Sequence, residues 1–414
     1  MPAYTEKYED ILFSFLHRDN VFPAIIKTKG FHWGKIVSVT RKSLIQEAGY
    51  FFKHGKQKNL YGKIWLFAES VNQFRALEFL TDLPESILVS SSPQLTINFP
   101  DKDIAHLLLP TKFKHRILRI RFFRHYKLLF KEKYKDHLHT LIKYDGIYES
   151  VVDLLRLHKP KAIVFANDHN AFCRALLIGA KECGIKTIYL QHAAVTDKFP
   201  ALKFDLNLLD GKDSLRKYKR AGTIEGKVVL IGMPKFDKYY EKIKQREEIN
   251  TVGIALNRND IFSYYLNISD ELKKQFKSMN FIFRFHPSII LSEIVIPEYA
   301  TLSDVTKESS FEFISKIDVL IAGNSSIHLE AALMNVASII IDFKRGGATD
   351  YYGFIKSGLV QQVTEEALVE LIESLKFRQP NVRHKAKYYF ETIGNEWDGK
   401  STKLACNIIS DFVK

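Results

Sequence analysis

Short, unbroken apolar runs recur along the chain, and most of them stop abruptly at a cluster of polar residues. Lys63-Ile64-Trp65-Leu66-Phe67-Ala68, Ser86-Ile87-Leu88-Val89-Ser90, Lys161-Ala162-Ile163-Val164-Phe165-Ala166 and Thr187-Ile188-Tyr189-Leu190 belong to a first series, followed by Phe204 to Leu209 and Lys227 to Ile231. A second series holds Thr251 to Leu256, Phe281 to Phe285, Ile317 to Ala322 and Ala337 to Ile341. Runs of this length, rich in β-branched and aromatic residues and without alternation, predict strands buried on both faces, as in a parallel sheet. Helix-period stretches separate them: Val71 to Leu80 with Ser70 as cap, Ala171 to Cys183, a set carrying Leu272, Phe276 and Met279, and Phe311 to Ser315 behind Ser309 or Ser310. Strand, helix and strand in alternation predict an α/β fold of the doubly wound kind. Further elements are a helix and loop over residues 1 to 35, a strand Lys35 to Val39, a long helical region from Pro110 to Leu157, and short strands at Tyr299 to Leu302 and Leu359-Val360.

The two series meet at Asp237 to Asn250, a stretch dense in Lys and Glu that reads as a linker. The division that follows is residues 1–240, residues 241–395, and a C-terminal helix in residues 396–414 that crosses back to the first domain. Composition agrees with two cores: 414 residues exceed one ordinary domain, and 46% of them are apolar. Cys173, Cys183 and Cys406 form no C-x-x-C pair and no disulfide framework, which predicts a reducing compartment. The start has no signal-peptide profile and no apolar run nears the ~20 residues of a membrane span, so a cytoplasmic protein is expected. A net charge of +14 favours anionic partners: a nucleotide, a nucleic acid, or an anionic membrane face. Lys112 to Arg124 interleaves basic and apolar residues, which suits peripheral contact with an anionic inner-membrane surface or a solvated face over a core. No nucleic-acid signature accompanies the charge, and nucleic acid is not expected as partner.

The chemistry lies where the strands stop. Phe281-Ile282-Phe283-Arg284-Phe285 ends at His286-Pro287-Ser288, since a proline cannot continue a central strand. Ala322 is followed by the turn Gly323-Asn324, then by Ser325-Ser326 at the start of a helix through Leu329, Glu330 and Leu333. Both fall at the carboxyl edge of a parallel sheet, where open α/β sheets bind ligands. A helix start with two hydroxyls beside an imidazole can hold an anion such as a nucleotide phosphate. Either motif alone is also ordinary turn and capping chemistry. In the first series Asn167-Asp168-His169-Asn170 and Gln191-His192 stand at comparable ends, with Asp168 the first candidate for an acid or base, or else the cap of the next helix. Arg258 and Asp260 close the first strand of the second series, and Arg284 is expected in a salt bridge. No metal site is expected; His169 and His192 lack companions with ligand spacing.

Leu190-Gln191-His192, Gly232-Met233-Pro234, Arg284-Phe285-His286-Pro287 and Gly323-Asn324-Ser325-Ser326 with Glu330-Ala331-Ala332-Leu333 together resemble GT-B glycosyltransferases of bacterial surface-polysaccharide synthesis. The resemblance is to the sialyl-, polysialyl- and Kdo-transferases that use CMP-activated acidic sugars. It implies two Rossmann-like domains with a cleft between them, a CMP-sugar donor, a lipid-linked or oligosaccharide acceptor, and no further cofactor or metal. It implies further that His286, Pro287, Asn324, Ser325, Ser326, Glu330 and Arg258 serve the nucleotide and its phosphate. Gln191, His192 and His169 would serve the acceptor or sugar, and Asp168 the proton transfer. The acidic-acidic-Gly motif of several sialyltransferases is absent, with Asp168 the nearest stand-in; a retaining reaction would need a carboxylate nucleophile such as Asp260. Teichoic-acid CDP-glycerol or CDP-ribitol phosphotransferases share Arg-x-His-Pro and the Ser-Ser start, and UDP-GlcNAc 2-epimerases share Gly-Asn-Ser-Ser.

Overall fold

The computed structural model describes residues 59–107, 138–196, 199–243, 248–287, 289, 294–343, 350–377 and 381–414. The expected elements before residue 59, the basic run Lys112 to Arg124, Ser288 and the loop Lys344 to Gly347 lie outside these residues. The described strands form two wholly parallel sheets. The first contains β1 (Ile64–Phe67), β2 (Ser86–Ser90), β3 (Ile104–His106), β4 (Ala162–Phe165), β5 (Lys186–Leu190), β6 (Leu206–Leu209) and β7 (Lys227–Leu230), in the order β3-β2-β1-β4-β5-β6-β7. The second contains β8 (Thr251–Leu256), β9 (Asn280–Phe285), β10 (Ala300–Ser303), β11 (Val319–Ala322), β12 (Ala337–Ile341) and β13 (Gln361–Val363), in the order β10-β9-β8-β11-β12-β13. Strand order reverses between β1 and β4 and again between β8 and β11, the positions where a doubly wound sheet opens a crevice at its carboxyl edge. Two Rossmann-like α/β domains result, called here the N-lobe and the C-lobe.

Burial explains why the strands show no alternation. In β1, Trp65 and Phe67 pack on one face with Ile163, Phe165 and the helix Leu138–His158, while Ile64 and Leu66 pack on the other with Leu88 and Val164. In the C-lobe, Val319 and Ile321 join Phe281, Phe283 and Phe285, whereas Leu320 and Ala322 join Ile314 and Leu333. Helices cover both faces, so the central strands are apolar on both. The helix Ser401–Val413 returns to the N-lobe, burying Ala405 and Ile409 in its core, and Lys186 donates to the Phe412 carbonyl at 2.8 Å.

Two expectations shift. The charged stretch after Met233 begins as a 3-10 helix, Pro234–Lys242, rather than as a loose linker. Its Phe236 and Tyr239 are buried in the C-lobe core and stack near Phe311 at 5.7 and 4.9 Å between ring centres; two such side chains contribute about 1.5–3 kcal/mol each. The strand expected at Leu359-Val360 lies at Gln361–Val363, because Leu359 and Val360 turn into the core beside Phe354. Among the described residues no helix is long and apolar enough to cross a membrane.

Candidate functional site

In the C-lobe, β8 lies between β9 and β11, with Leu256 opposite Phe285 and Ala255 opposite Ala322. One step past the strand ends, His286, Asn257 and Asn324 stand level. Strands spaced about 4.8 Å apart put His286 and the Asn324 turn about 10 Å from each other across β8. The turn is tied down from below: Asn257 donates to the Asn324 carbonyl at 2.8 Å, and its own N–H donates to Asp260 at 2.6 Å. Gly323 is required here, since a Cβ would lie 2.4 Å from the Asp260 Oδ1. Burial raises the Asp260 pKa, with the Asn257 N–H opposing. Behind the turn, the buried His328 ring donates from Nε2 to the Gly323 carbonyl at 2.9 Å; burial pushes its pKa down to about 4, so it stays neutral.

Ser325 and Ser326 precede the seven-residue helix Ile327–Leu333. Ser326 is already helical in backbone (φ −68°) and makes no capping bond, while Ser325 accepts only a long 3.4 Å bond from the Ile327 N–H. Their hydroxyls are therefore largely uncommitted. His286 and Pro287 are exposed at the end of β9, and Arg258 is exposed in the turn after β8. Arg284 is committed: it donates to Ser303 Oγ at 2.6 Å and to the Glu308 carbonyl at 3.1 Å, and lies 3.9 Å from the Glu308 carboxylate.

In the N-lobe, Phe165 is opposite Tyr189 and Leu190 opposite Leu208, so the register carried past the strand ends sets Asp168, His192 and Asp210 level on β4, β5 and β6. Asp168 is fully buried against the His169 ring, with Arg174 at 3.6 Å and the Arg174 Nε donating to its carbonyl at 2.7 Å. Burial opposes ionisation, yet His169, Arg174 and His192 outweigh it and hold the carboxyl below its usual pKa. Asp168 does not cap the next helix. Asn170 does, accepting from the Cys173 N–H at 2.7 Å while its amide donates to Glu69 at 2.6 Å. His169 meets the edge of Phe199 at 4.0 Å and remains partly exposed. Gln191 is tied to backbone at both ends of its amide: it donates to the Ala193 carbonyl at 2.9 Å and accepts from the Asp210 N–H at 3.0 Å. It shapes the strand end rather than offering its amide outward. Burial, then His169 and Lys235, push the His192 pKa down to about 4, against the pull of Asp168 and the Ala166 carbonyl.

The two strand-end rows face each other. Lys217 donates to the Tyr352 carbonyl at 2.9 Å, Ala194, two residues past His192, packs on the C-lobe core, and Lys235, on the 3-10 helix packed in that core, pairs with Glu330 at 2.5 Å while lining the crevice with His192. The structure thus brings His286, Asn324, Ser325, Ser326 and Asp260 to one edge and Asp168, His169 and His192 to the other. Glu330 is held by Lys235 rather than standing open. Asp210, Glu69 and Lys235 escape the sequence reading: Asp210 lies between a strand and the helix opened by Gly211, and the partners of the other two are distant in the chain.

No family model and no curated relative matches the sequence. Solved structures do match in shape. A UDP-GlcNAc 2-epimerase from Neisseria meningitidis bound to UDP-GlcNAc aligns with a TM-score of 0.54 at 13% identity, covering 84% of this chain and 99% of that one. The UDP-GlcNAc 2-epimerase from Methanocaldococcus jannaschii gives 0.53 at 11% identity over 84% and 99%. The wall teichoic acid polymerase TagF gives 0.52 at 12% identity over 93% and 98%. This chain has a GT-B-like fold. At these identities the likeness establishes architecture alone, and the GT-B cleft is the space bounded by the two rows described above.

Proposed function

We propose that the chain is a GT-B transferase acting on a nucleotide-activated donor, with the nucleotide on the C-lobe row and the acceptor on the N-lobe row. The observation that carries this reading is the level arrangement of His286 and the Asn324-Ser325-Ser326 turn, with both serine hydroxyls left over from capping. Such a seat can bind one phosphate and stabilise the charge that develops on it as it leaves. A single leaving phosphate fits a CMP-linked acidic sugar, of the Kdo or sialic acid kind, passing to a lipid-linked or oligosaccharide acceptor. The UDP-GlcNAc carried by the epimerase structure supports a nucleotide sugar in this fold. Asp260, half-buried under Gly323, holds the turn and is less suited to be a nucleophile.

A second reading, transfer of a glycerol phosphate from CDP-glycerol, is favoured by the extent of the likeness to TagF, which takes in 93% of the chain against 84% for the epimerases. The experiment is a donor panel of CMP-Kdo, CMP-sialic acid, CDP-glycerol and UDP-GlcNAc, with products read by mass spectrometry and binding by melting temperature. CMP release from an acidic sugar donor is expected, unaffected by EDTA. Turnover of CDP-glycerol alone would select the second reading, and epimerised UDP-GlcNAc would rule out both.

A further inference from the structure

Three carboxylates, Glu69, Asp168 and Asp210, stand at the ends of β1, β4 and β6. Glu69 accepts from Ser91 and Asn170; the Asp168 oxygens are buried without a hydrogen bond but lie against two basic groups, His169 and Arg174. Asp210 differs from both. Its backbone is held from three sides: the N–H donates to Gln191 Oε1 at 3.0 Å, and the carbonyl accepts from the Gly232 N–H at 3.1 Å and the Glu391 N–H at 2.9 Å. Its carboxyl, on a residue only 4% exposed, makes no hydrogen bond and no ion pair among the described residues. Its oxygens keep some contact with solvent and are open to a ligand group.

Asp210 lines a narrow crevice of about 10 Å³ with Leu190, Gln191, His192, Pro234 and Lys235, about the space of one water-sized group. The groups around it can be enumerated. Gln191 is tied to backbone, His192 is kept neutral by burial, and the Tyr189 and Tyr218 hydroxyls bond each other at 2.9 Å. Lys235 reaches away to Glu330, which lies four residues, or roughly 6 Å, along its helix from Ser326. The crevice is thus linked to the proposed phosphate seat through Lys235 and Glu330, with an unbonded carboxyl on its wall and room for one hydroxyl.

We propose that Asp210 receives the acceptor hydroxyl and takes its proton during transfer. The inference rests on the transferase reading above and names the group that completes it. The hydroxyl oxygen forms the new bond to the transferred sugar carbon, and the bond from that carbon to the phosphate oxygen breaks. The electron pair leaves with the nucleotide phosphate, and the hydroxyl proton passes to Asp210. Burial pushes this carboxyl well above the usual range, with Lys235 opposing, which makes the ionised form a stronger base than a surface aspartate.

The test uses the full chain with Asp210→Asn, CMP as the binding probe, and CMP-Kdo and CMP-sialic acid as donors. Asparagine keeps the shape and removes no existing side-chain bond, so an unchanged or raised melting temperature is expected. CMP affinity should stay the same while turnover falls by at least ~100-fold and the acid limb of kcat/KM disappears. Native-like melting with turnover within about threefold of wild type would overturn the proposal. So would an acid limb that survives in Asp210→Asn but vanishes in Asp168→Asn, which would return the role to Asp168. A wild-type chain that binds no CMP and releases none from either donor would instead remove the transferase reading, and this inference with it.

Discussion

At the N-lobe edge Asp168 is sealed between His169 and Arg174 and His192 is held neutral by burial, whereas at the C-lobe edge His286 is exposed and Ser325 and Ser326 sit in a turn with little to bond. One row is a set of coupled, buried titratable groups. The other is a set of small donors poised on a rigid turn. Buried coupled groups govern protonation and contribute heavily to stability, because removing one leaves its partner's charge stranded. Hydroxyls on a turn, as at Ser325 and Ser326, contribute little to folding and remain available to a ligand. The contrast assigns acid–base work to the first lobe and anion binding to the second, and substitutions should separate the two.

The largest effect is expected at Arg174. Arg174→Met strips a buried cation from Asp168 and should lower the unfolding free energy by about 3–5 kcal/mol in a denaturant titration, while folded molecules still bind nucleotide. A loss below about 1 kcal/mol would mean the N-lobe row is not held by its charges. His286→Ala should do the reverse, removing about 2–4 kcal/mol of transition-state stabilisation in a donor-saturated assay with little change in melting. Unchanged turnover would take His286 out of the site. Gly323→Ala sharpens the comparison by loosening the rigid turn itself: the added Cβ meets Asp260, which should cost about 1–3 kcal/mol of stability and weaken nucleotide binding together. Lys235→Met cuts the ion pair that holds Glu330 at the C-lobe edge. Because Lys235 is about a third exposed, a stability loss near 1 kcal/mol is expected, with a changed donor KM if Glu330 is released to the nucleotide.

Near neutral pH the smallest effect is one in which the lobes should agree, and it grows as pH falls. His192 and His328 both have pKa values lowered to about 4, below the unfolded value near 6.5. The unfolded chain binds more protons than the folded one across that interval, so stability is present above it and is lost as pH falls from about 6.5 toward 4. Stability should be about 1 kcal/mol lower at pH 6 than at pH 7 and should fall more steeply below pH 6. A protein that grows more stable on acidification through this window would contradict the neutral assignment of both rings.

The sheets were legible because doubly covered strands leave uninterrupted apolar runs, and the polar residues that interrupt them mark the carboxyl edge. Phe281 to Phe285 followed by His286-Pro287 shows this most plainly. The turn Gly323-Asn324 was legible as a turn, but not the reason for its glycine, which is a carboxylate from another strand end. Asp168 was visible as a polar stop, and its enclosure was not, since Arg174 sits one helical turn further on and reads as surface charge. Asp210 was missed altogether. Its importance is a product of burial without a partner, and neither property is written in Leu209-Asp210-Gly211. The pairing of Lys235 with Glu330 was not visible either, because the two are 95 residues apart in the chain and are joined only when the 3-10 helix packs into the C-lobe core.

The division of labour between the lobes is tested most directly by calorimetric titration of CMP into wild type, the triple variant His286→Ala, Ser325→Ala, Ser326→Ala, and Asp168→Asn. CMP should bind wild type and Asp168→Asn alike, and the triple variant at least ~100-fold more weakly, about 2.7 kcal/mol. Equal CMP affinity in wild type and a folded triple variant would contradict the placement of the nucleotide on the C-lobe row.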